Sequence, residues 1–287
     1  MCLTALLVLT GCNRTHTKSS NPPSIEARKT EAVTEDRFRT IQDSTYFRSK
    51  EKEHDEYNGD YYYYSEQNVD IQWPEQLVSC IDITPLQKAL IAKAFGKEPP
   101  STDIDSVVQK FTGTALFLET EENLTAVPVQ ASDVAEGGMT SLSAGVSIHP
   151  FLSSPTLIGF RIHKNDYQGG AHGYYSMVHL IFDKTNCAVV DSAYVFSLAQ
   201  RNHLIGKINH YITKKGEMYA SVDYIPDFFL DQQGLVFVFQ PYEIASYADG
   251  IIQIKIPYTD LEQLMTPRFK DLLKEANKIH IDQDHKK

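Results

Sequence analysis

From about Gly138 to Ile256 the chain repeats short alternating or β-branched stretches between turn signals, with only one long helical interruption. Strands are expected over Met139–Ile148, Leu157–Lys164, Tyr174–Asp183 and Ala188–Val195. A helix follows over Ser197–Lys214, with Leu198, Ile205, Ile208, Tyr211 and Ile212 on one side. Two further strands, Asp227–Leu230 and Leu235–Gln240, flank the turn Asp231-Gln232-Gln233-Gly234. A strand over Ile251–Ile256 and a helix near Tyr258–Met265 complete the pattern. Strands and helices mix without βαβ regularity, so the expected class is α+β, an antiparallel sheet with helices packed on it. With 16 Tyr and 14 Phe, the chain has the aromatic area to build a core.

Upstream, Tyr61–Tyr64 and Val69–Pro74 read as strands, the second stopped by Pro74. Thr84–Phe95 is the clearest helix: Thr84 can cap, Pro85 suits the first position, and Leu86, Leu90, Ile91 and Phe95 form one stripe before Gly96. A second helix is expected over Asp103–Phe111. Residues 61–135 therefore read as a small N-terminal partner region and 136–287 as a C-terminal domain. Residues 12–60 read as a flexible tether, rich in Ser, Thr, Asn, Lys and Glu with sparse apolar positions, with room for a short helix around Glu31–Ile41.

The N-terminus sets location. An apolar run from Leu3 to Thr10 ends in Leu9-Thr10-Gly11-Cys12, the small-residue-then-cysteine ending of a bacterial lipoprotein signal peptide. The run is too short to span a bilayer as a helix, and the chain turns polar directly behind it. On this reading residues 1–11 are a signal peptide. Cys12 is the site of lipid attachment, carrying palmitate-type acyl chains, and the protein works in the bacterial cell envelope, periplasmic or on the cell surface. No Lys or Arg precedes the apolar run, so the usual charged segment is missing.

Four cysteines then reduce to Cys80 and Cys187. In an oxidising envelope they are a candidate disulfide, and two separate buried thiols are the alternative. Neither has Cys or His at metal-ligand spacing, so no metal and no cofactor is expected. The formal net charge of -10 offers no basic footprint for nucleic acid.

Two stretches carry a family resemblance. One is Tyr167-Gln168-Gly169-Gly170-Ala171-His172-Gly173, followed by a strand ending Phe182-Asp183-Lys184-Thr185. The other runs from Phe228 to Phe237, continues through Pro241-Tyr242-Glu243-Ile244-Ala245-Ser246-Tyr247-Ala248-Asp249-Gly250, and ends at Ile256-Pro257-Tyr258. Together they resemble the RsiV-like, PdaC-type extracytoplasmic domain of unknown function (family 3298), with its usual preceding partner domain. The resemblance covers roughly Gly169–Met265 and implies an extracytoplasmic α+β domain. In the anti-sigma members of the family the domain pair binds lysozyme. Neither anti-sigma activity nor deacetylation carries over, because the segments that perform them are lacking.

Within these motifs His172 is the candidate general base or ligand contact, with Asp166 or Asp183 as the carboxylate that would orient it. The competing reading is a tight strand connection with the imidazole tied to backbone. Tyr242 and Glu243 could line a binding groove or form a structural corner. Asp103 and Asp105 are better read as helix-start charges than as a catalytic pair, and Glu119, Glu121 and Glu122 form a further carboxylate cluster. The sequence thus points to a membrane-anchored, non-enzymatic ligand-binding domain whose ligand is a lysozyme-like protein or a cell-wall (peptidoglycan) glycan. The alternative is a polysaccharide-acting hydrolase or deacetylase using His172 and a nearby Asp.

Overall fold

The computed structural model describes residues 35–57, 59–96, 102–115, 126–137, 141–276 and 280–281. The described residues all fall in one compact unit. The expected signal peptide, Cys12, and Glu119, Glu121 and Glu122 lie outside the described residues.

In chain order the elements begin with β1 (Arg37–Ser49), a small hairpin of β2 (Glu53–Asp55) and β3 (Gly59–Tyr61), then β4 (Tyr64–Gln76). Next come α1 (Thr84–Phe95), α2 (Ile104–Thr112), β5 (Ala126–Val129) and α3 (Ala131–Gly137). The long strands β6 (Ser141–Ser153), β7 (Leu157–Tyr167) and β8 (Tyr174–Asp183) lead to the short β9 (Ala188–Val189). Then follow α4 (Ser192–Val195), α5 (Arg201–Lys215), β10 (Asp227–Leu230), β11 (Gly234–Phe239) and β12 (Ile252–Pro257). The chain closes with α6 (Tyr258–Leu261), α7 (Pro267–Ala276) and β13 (His280–Ile281).

The main sheet has the order β5-β1-β4-β6-β7-β8-β9, with β13 added on β6, and a second sheet has the order β10-β11-β12. All these pairings are antiparallel except β4 with β6. The fold is therefore α+β with a mostly antiparallel sheet, as the strand and helix pattern requires.

Side-chain alternation divides the main sheet into two unlike faces. One presents Val69, Ile71 and Trp73 of β4, Val146 and Ile148 of β6, Phe160 and Ile162 of β7, and Leu180 and Phe182 of β8 to the helices. Against them α1 buries Leu86, Leu90, Ile91 and Ala94, and α2 buries Ile104 and Val108. On the other face Phe151, Leu157 and Ile181 pack into a second core with the three-stranded sheet, α5 and α7. That second layer covers only the β7–β8 side of the face. Over β1, β4 and β6 the same face carries Gln42, Ser44, Asn68, Asp70, Gln72, Ser147 and His149, all exposed or half-buried.

Beyond the short β9, side chains close the outer edge of β8. The Gln240 amide accepts from the Met177 N–H at 2.9 Å and donates to its carbonyl at 2.8 Å, and the Asp227 carboxylate accepts the His179 N–H at 2.7 Å. Such groups satisfy the ladder and block pairing with another chain. Cys80 and Cys187 are bonded, with Cα atoms 5.5 Å apart, joining the entry to α1 to the turn after β8.

Several expectations need correction. The tether reading of residues 12–60 fails over Arg37–Ser49, which pairs with β4 along its length and leaves no helix at Arg37–Ile41. Its apolar residues are sparse because it lies near the sheet edge, where backbone hydrogen bonds hold it. The partner region 61–135 and the C-terminal domain 136–287 share one sheet, in which β4 and β6 are neighbours. Pro74 does not stop β4; it lies opposite Phe38, beside a register shift between Arg37 and Phe38, where the missing N–H is tolerated. At α1 the cap position is Ile83, and the Asp82 carboxylate rather than the Thr84 hydroxyl serves the helix start, accepting the Thr84 N–H at 3.0 Å. Asp103 does cap α2, accepting from the N–H groups of Asp105 and Ser106. The stretch Ala188–Val195 is a strand only to Val189, because the Asp191 side chain caps α4. Leu198, placed on the helical stripe, is 76% exposed in a 3-10 turn before α5.

Candidate functional site

The connection from β7 to β8 is built for a tight turn. Gly169 and Gly170 have φ of 91° and 93°, a conformation that side chains with a Cβ resist. The Tyr167 hydroxyl donates to the Gly170 carbonyl at 2.9 Å. His172 follows, exposed, with its imidazole stacked on the Tyr247 ring at a centroid distance of 3.8 Å and an interplanar angle of 18°.

Hydrogen bonds define the imidazole's tautomer. Nδ1 lies 3.0 Å from the Gly173 carbonyl, which can only accept, so Nδ1 carries the proton. Nε2 is then the acceptor facing the Tyr242 hydroxyl at 3.3 Å. The same Gly173 carbonyl accepts the Tyr247 hydroxyl at 2.6 Å. Burial first, then the neighbouring Tyr175 and Tyr242, push the Tyr247 pKa up and keep it a neutral donor. Tyr175 meets the Tyr247 ring edge-on at 5.7 Å.

Tyr242 stands on the far side of this stack. It has φ of 72°, rare for an aromatic residue, and is 63% exposed. It is not the packed corner residue that one sequence reading allowed. Between the loop and the corner lies a depression of about 150 Å³ lined by Asp166, Gln168, His172, Tyr174, Tyr242 and Tyr247.

Of the residues singled out from sequence, the fold brings together His172, Asp166 and Tyr242. It does not make a catalytic dyad of them. The Asp166 carboxylate accepts from the Gln168 amide at 3.2 Å, and His172 is hydrogen-bonded to a backbone carbonyl and a tyrosine. Asp183 lies at the opposite end of β8, about 30 Å away at the usual strand rise. It is fully buried and accepts from the Thr185 and Asn186 N–H groups, the Asn186 amide and the Tyr194 hydroxyl. Burial and then the bond to Asp183 push the Tyr194 pKa up to about 12. Glu243 is tied to its own turn, accepting the Gln240 N–H at 2.6 Å.

Residues 202–259, from α5 into α6, match the family model described as Protein of unknown function (DUF3298). The match contains the corner from Tyr242 to Gly250 and leaves the His172 loop outside. A crystal structure of a member of the DUF3298 family from Bacteroides fragilis is similar, with TM-score 0.58 and 22% identity over 85% of this chain and 98% of that one. A DUF3298 family protein from Pseudomonas aeruginosa aligns with TM-score 0.50 and 14% identity over 82% of this chain and 97% of that one. What these share with the chain is the fold. No curated protein matches it.

The fold also assembles a group that sequence reasoning missed. The His179 side chain is fully buried on β8, with Nδ1 3.1 Å from Asp227, whose other oxygen pairs with Lys93 at 3.0 Å. Its Nε2 has no hydrogen-bond partner, and Phe151 and Phe229 enclose the ring. Burial, only partly opposed by the Asp227 contact, lowers its pKa. Nothing in the local sequence ties His179 to Asp227, since 48 residues separate them. The tyrosines of the aromatic corner were more accessible, because Tyr174 and Tyr175 open a strand. Among the described residues no group of three His, Cys, Asp or Glu could hold a metal ion, and no helix is long and apolar enough to cross a membrane.

Proposed function

We propose that the chain is an envelope lipoprotein, anchored through Cys12, whose folded part binds an extracytoplasmic glycan at the aromatic corner. The observation that carries this reading is the exposed His172–Tyr247 stack, with Tyr242 held beside it in a left-handed backbone conformation. Aromatic faces with hydroxyl groups at their rims suit sugar rings, which offer C–H faces for stacking and hydroxyls for hydrogen bonds. A residue strained in this way at an exposed position is more readily explained by a binding role than by packing. The imidazole supports the same reading, since its hydrogen bonds to the Gly173 carbonyl and the Tyr242 hydroxyl orient it as a platform.

The test immobilises the mature chain and measures binding to peptidoglycan fragments and to lysozyme, with hydrolysis and deacetylation assayed in parallel. Binding of glycan fragments, weakened at least tenfold by Tyr242→Ala or His172→Ala with the fold intact, is the expected result. Binding of lysozyme alone would transfer the role to the protein ligand that the RsiV-like resemblance implies. Turnover abolished by His172→Ala would overturn the binding reading in favour of an enzyme.

A further inference from the structure

The open half of the main sheet is polar, and at its border with the covered half one charge has no acid partner among the described residues. Arg161 of β7 is half-buried, and its guanidinium carbon lies 5.2 Å from the Phe151 ring centre, which limits its freedom. Its Nε is buried with no acceptor. Directly across the strands stand His149 on β6 and His179 on β8. The acids nearest those histidines are already engaged. Asp70 meets His149 at 3.2 Å and the Gln42 amide at 3.1 Å, and Asp227 is shared between His179 and Lys93.

A chain of net charge -10 has carboxylates to spare, yet among the described residues no ion pair reaches this guanidinium. Desolvation lowers the Arg161 pKa, and with no acid beside it the burial is uncompensated. A carboxylate brought from outside would relieve that cost and could bind the planar fork at two points.

The surroundings indicate what bears the carboxylate. At Gly145 of β6 an added Cβ would lie 2.6 Å from the Asn165 side chain and 2.8 Å from that of Asn68. The glycine therefore lets two amides from β7 and β4 converge over the middle strand. Ser147, His149, Gln72 and Asp70 extend the polar rows, and Tyr175 joins them to the stack of Tyr247 and His172. From Asn165, which lies opposite Tyr175, to Arg161 the strand covers about 13 Å, within reach of a short oligosaccharide.

We infer that this open face is the continuation of the glycan site, and that Arg161 is the subsite for a carboxylate carried by the sugar chain. The ligand class is thus an acidic glycan: its rings stack at the aromatic corner, its hydroxyls meet the amide rows, and its acid group sits on Arg161. This rests on the glycan-binding reading and narrows it.

The test compares the full chain's affinity for oligogalacturonate and for neutral N-acetylglucosamine oligomers of equal length, at two salt concentrations. The acidic oligomer should bind at least tenfold more tightly, and added salt should erode that margin. Arg161→Gln should abolish the margin by lowering the acidic oligomer's affinity at least tenfold. Arg161→Lys should restore it only in part, because the fork is lost. Asn165→Ala, on an exposed side chain, should weaken both oligomers and serves if the Arg161 variants fail to fold. Equal affinity for the two oligomers, or a margin that survives Arg161→Gln, overturns the carboxylate subsite and leaves the glycan reading standing. Binding of neither oligomer overturns both.

Discussion

Tyr242 separates a structural from a functional account of the corner. Its left-handed backbone costs about 1–2 kcal/mol for a residue with a Cβ, and its exposed ring recovers little of that by packing. Tyr242→Gly should therefore leave stability unchanged or raise it by up to about 1 kcal/mol in urea denaturation, after the entropy cost of glycine, while ligand binding falls. A clear loss of stability would mark Tyr242 as a packing residue. His179 supports a prediction about protonation. Its folded pKa lies below the ordinary 6.5, so the folded state binds the proton less well than the unfolded chain. The stability it supports is complete above pH about 6.5 and is lost as the pH falls through the folded value. An NMR titration should place its midpoint below 6.5. Tyr194 has the opposite sign: raised from 10.0 to about 12, it contributes fully below pH about 10 and loses that contribution as the pH rises through about 12. Tyr224 shifts the same way. Tyr194→Phe should flatten the alkaline decline seen by circular dichroism.

At the scale of elements, two cross-links hold distant parts of the chain together. The Cys80–Cys187 bond closes a separation of 107 residues, and removing both thiols should cost about 4–5 kcal/mol in the chain-entropy account, read from the urea midpoint. The Lys184–Asp36 pair, 2.8 Å long with side chains 3% and 13% exposed, ties the approach to β1 to the end of β8. Lys184→Met would leave Asp36, among the described residues, with the Val78 N–H alone, and a loss of about 3 kcal/mol is expected in the same measurement. These connections explain which elements could be read in advance. Helix α1 carries its stripe, its proline and its terminal glycine within twelve residues, so its limits Thr84 and Phe95 are local properties. β8 is similarly self-contained. β1 is not, because its partner β4 supplies the backbone hydrogen bonds that its own composition does not advertise. α7 also went unread, although Phe269 and Leu272 enter the second core.

For the whole molecule, the proposal is that Cys12 anchors the chain and that the sheet carries the binding face. Cys12→Ala should shift the protein from the membrane fraction to the soluble fraction; unchanged membrane association would sink the anchor proposal. Composition and periodicity by themselves determined the α+β class, the core-forming helix α1 and most strands from Ser141 onward. They could do so because amphipathic period and turn chemistry are encoded within a few residues. They also singled out His172 and Tyr242, through the glycines and the proline beside them. Only the tertiary structure decided what these residues touch. Folding set His172 against Tyr247, sent Asp183 to the far end of β8, and left Arg161 between two histidines whose acids were already engaged. Strand order and register create those contacts, and they depend on which distant segments pair, a long-range choice that no local pattern contains.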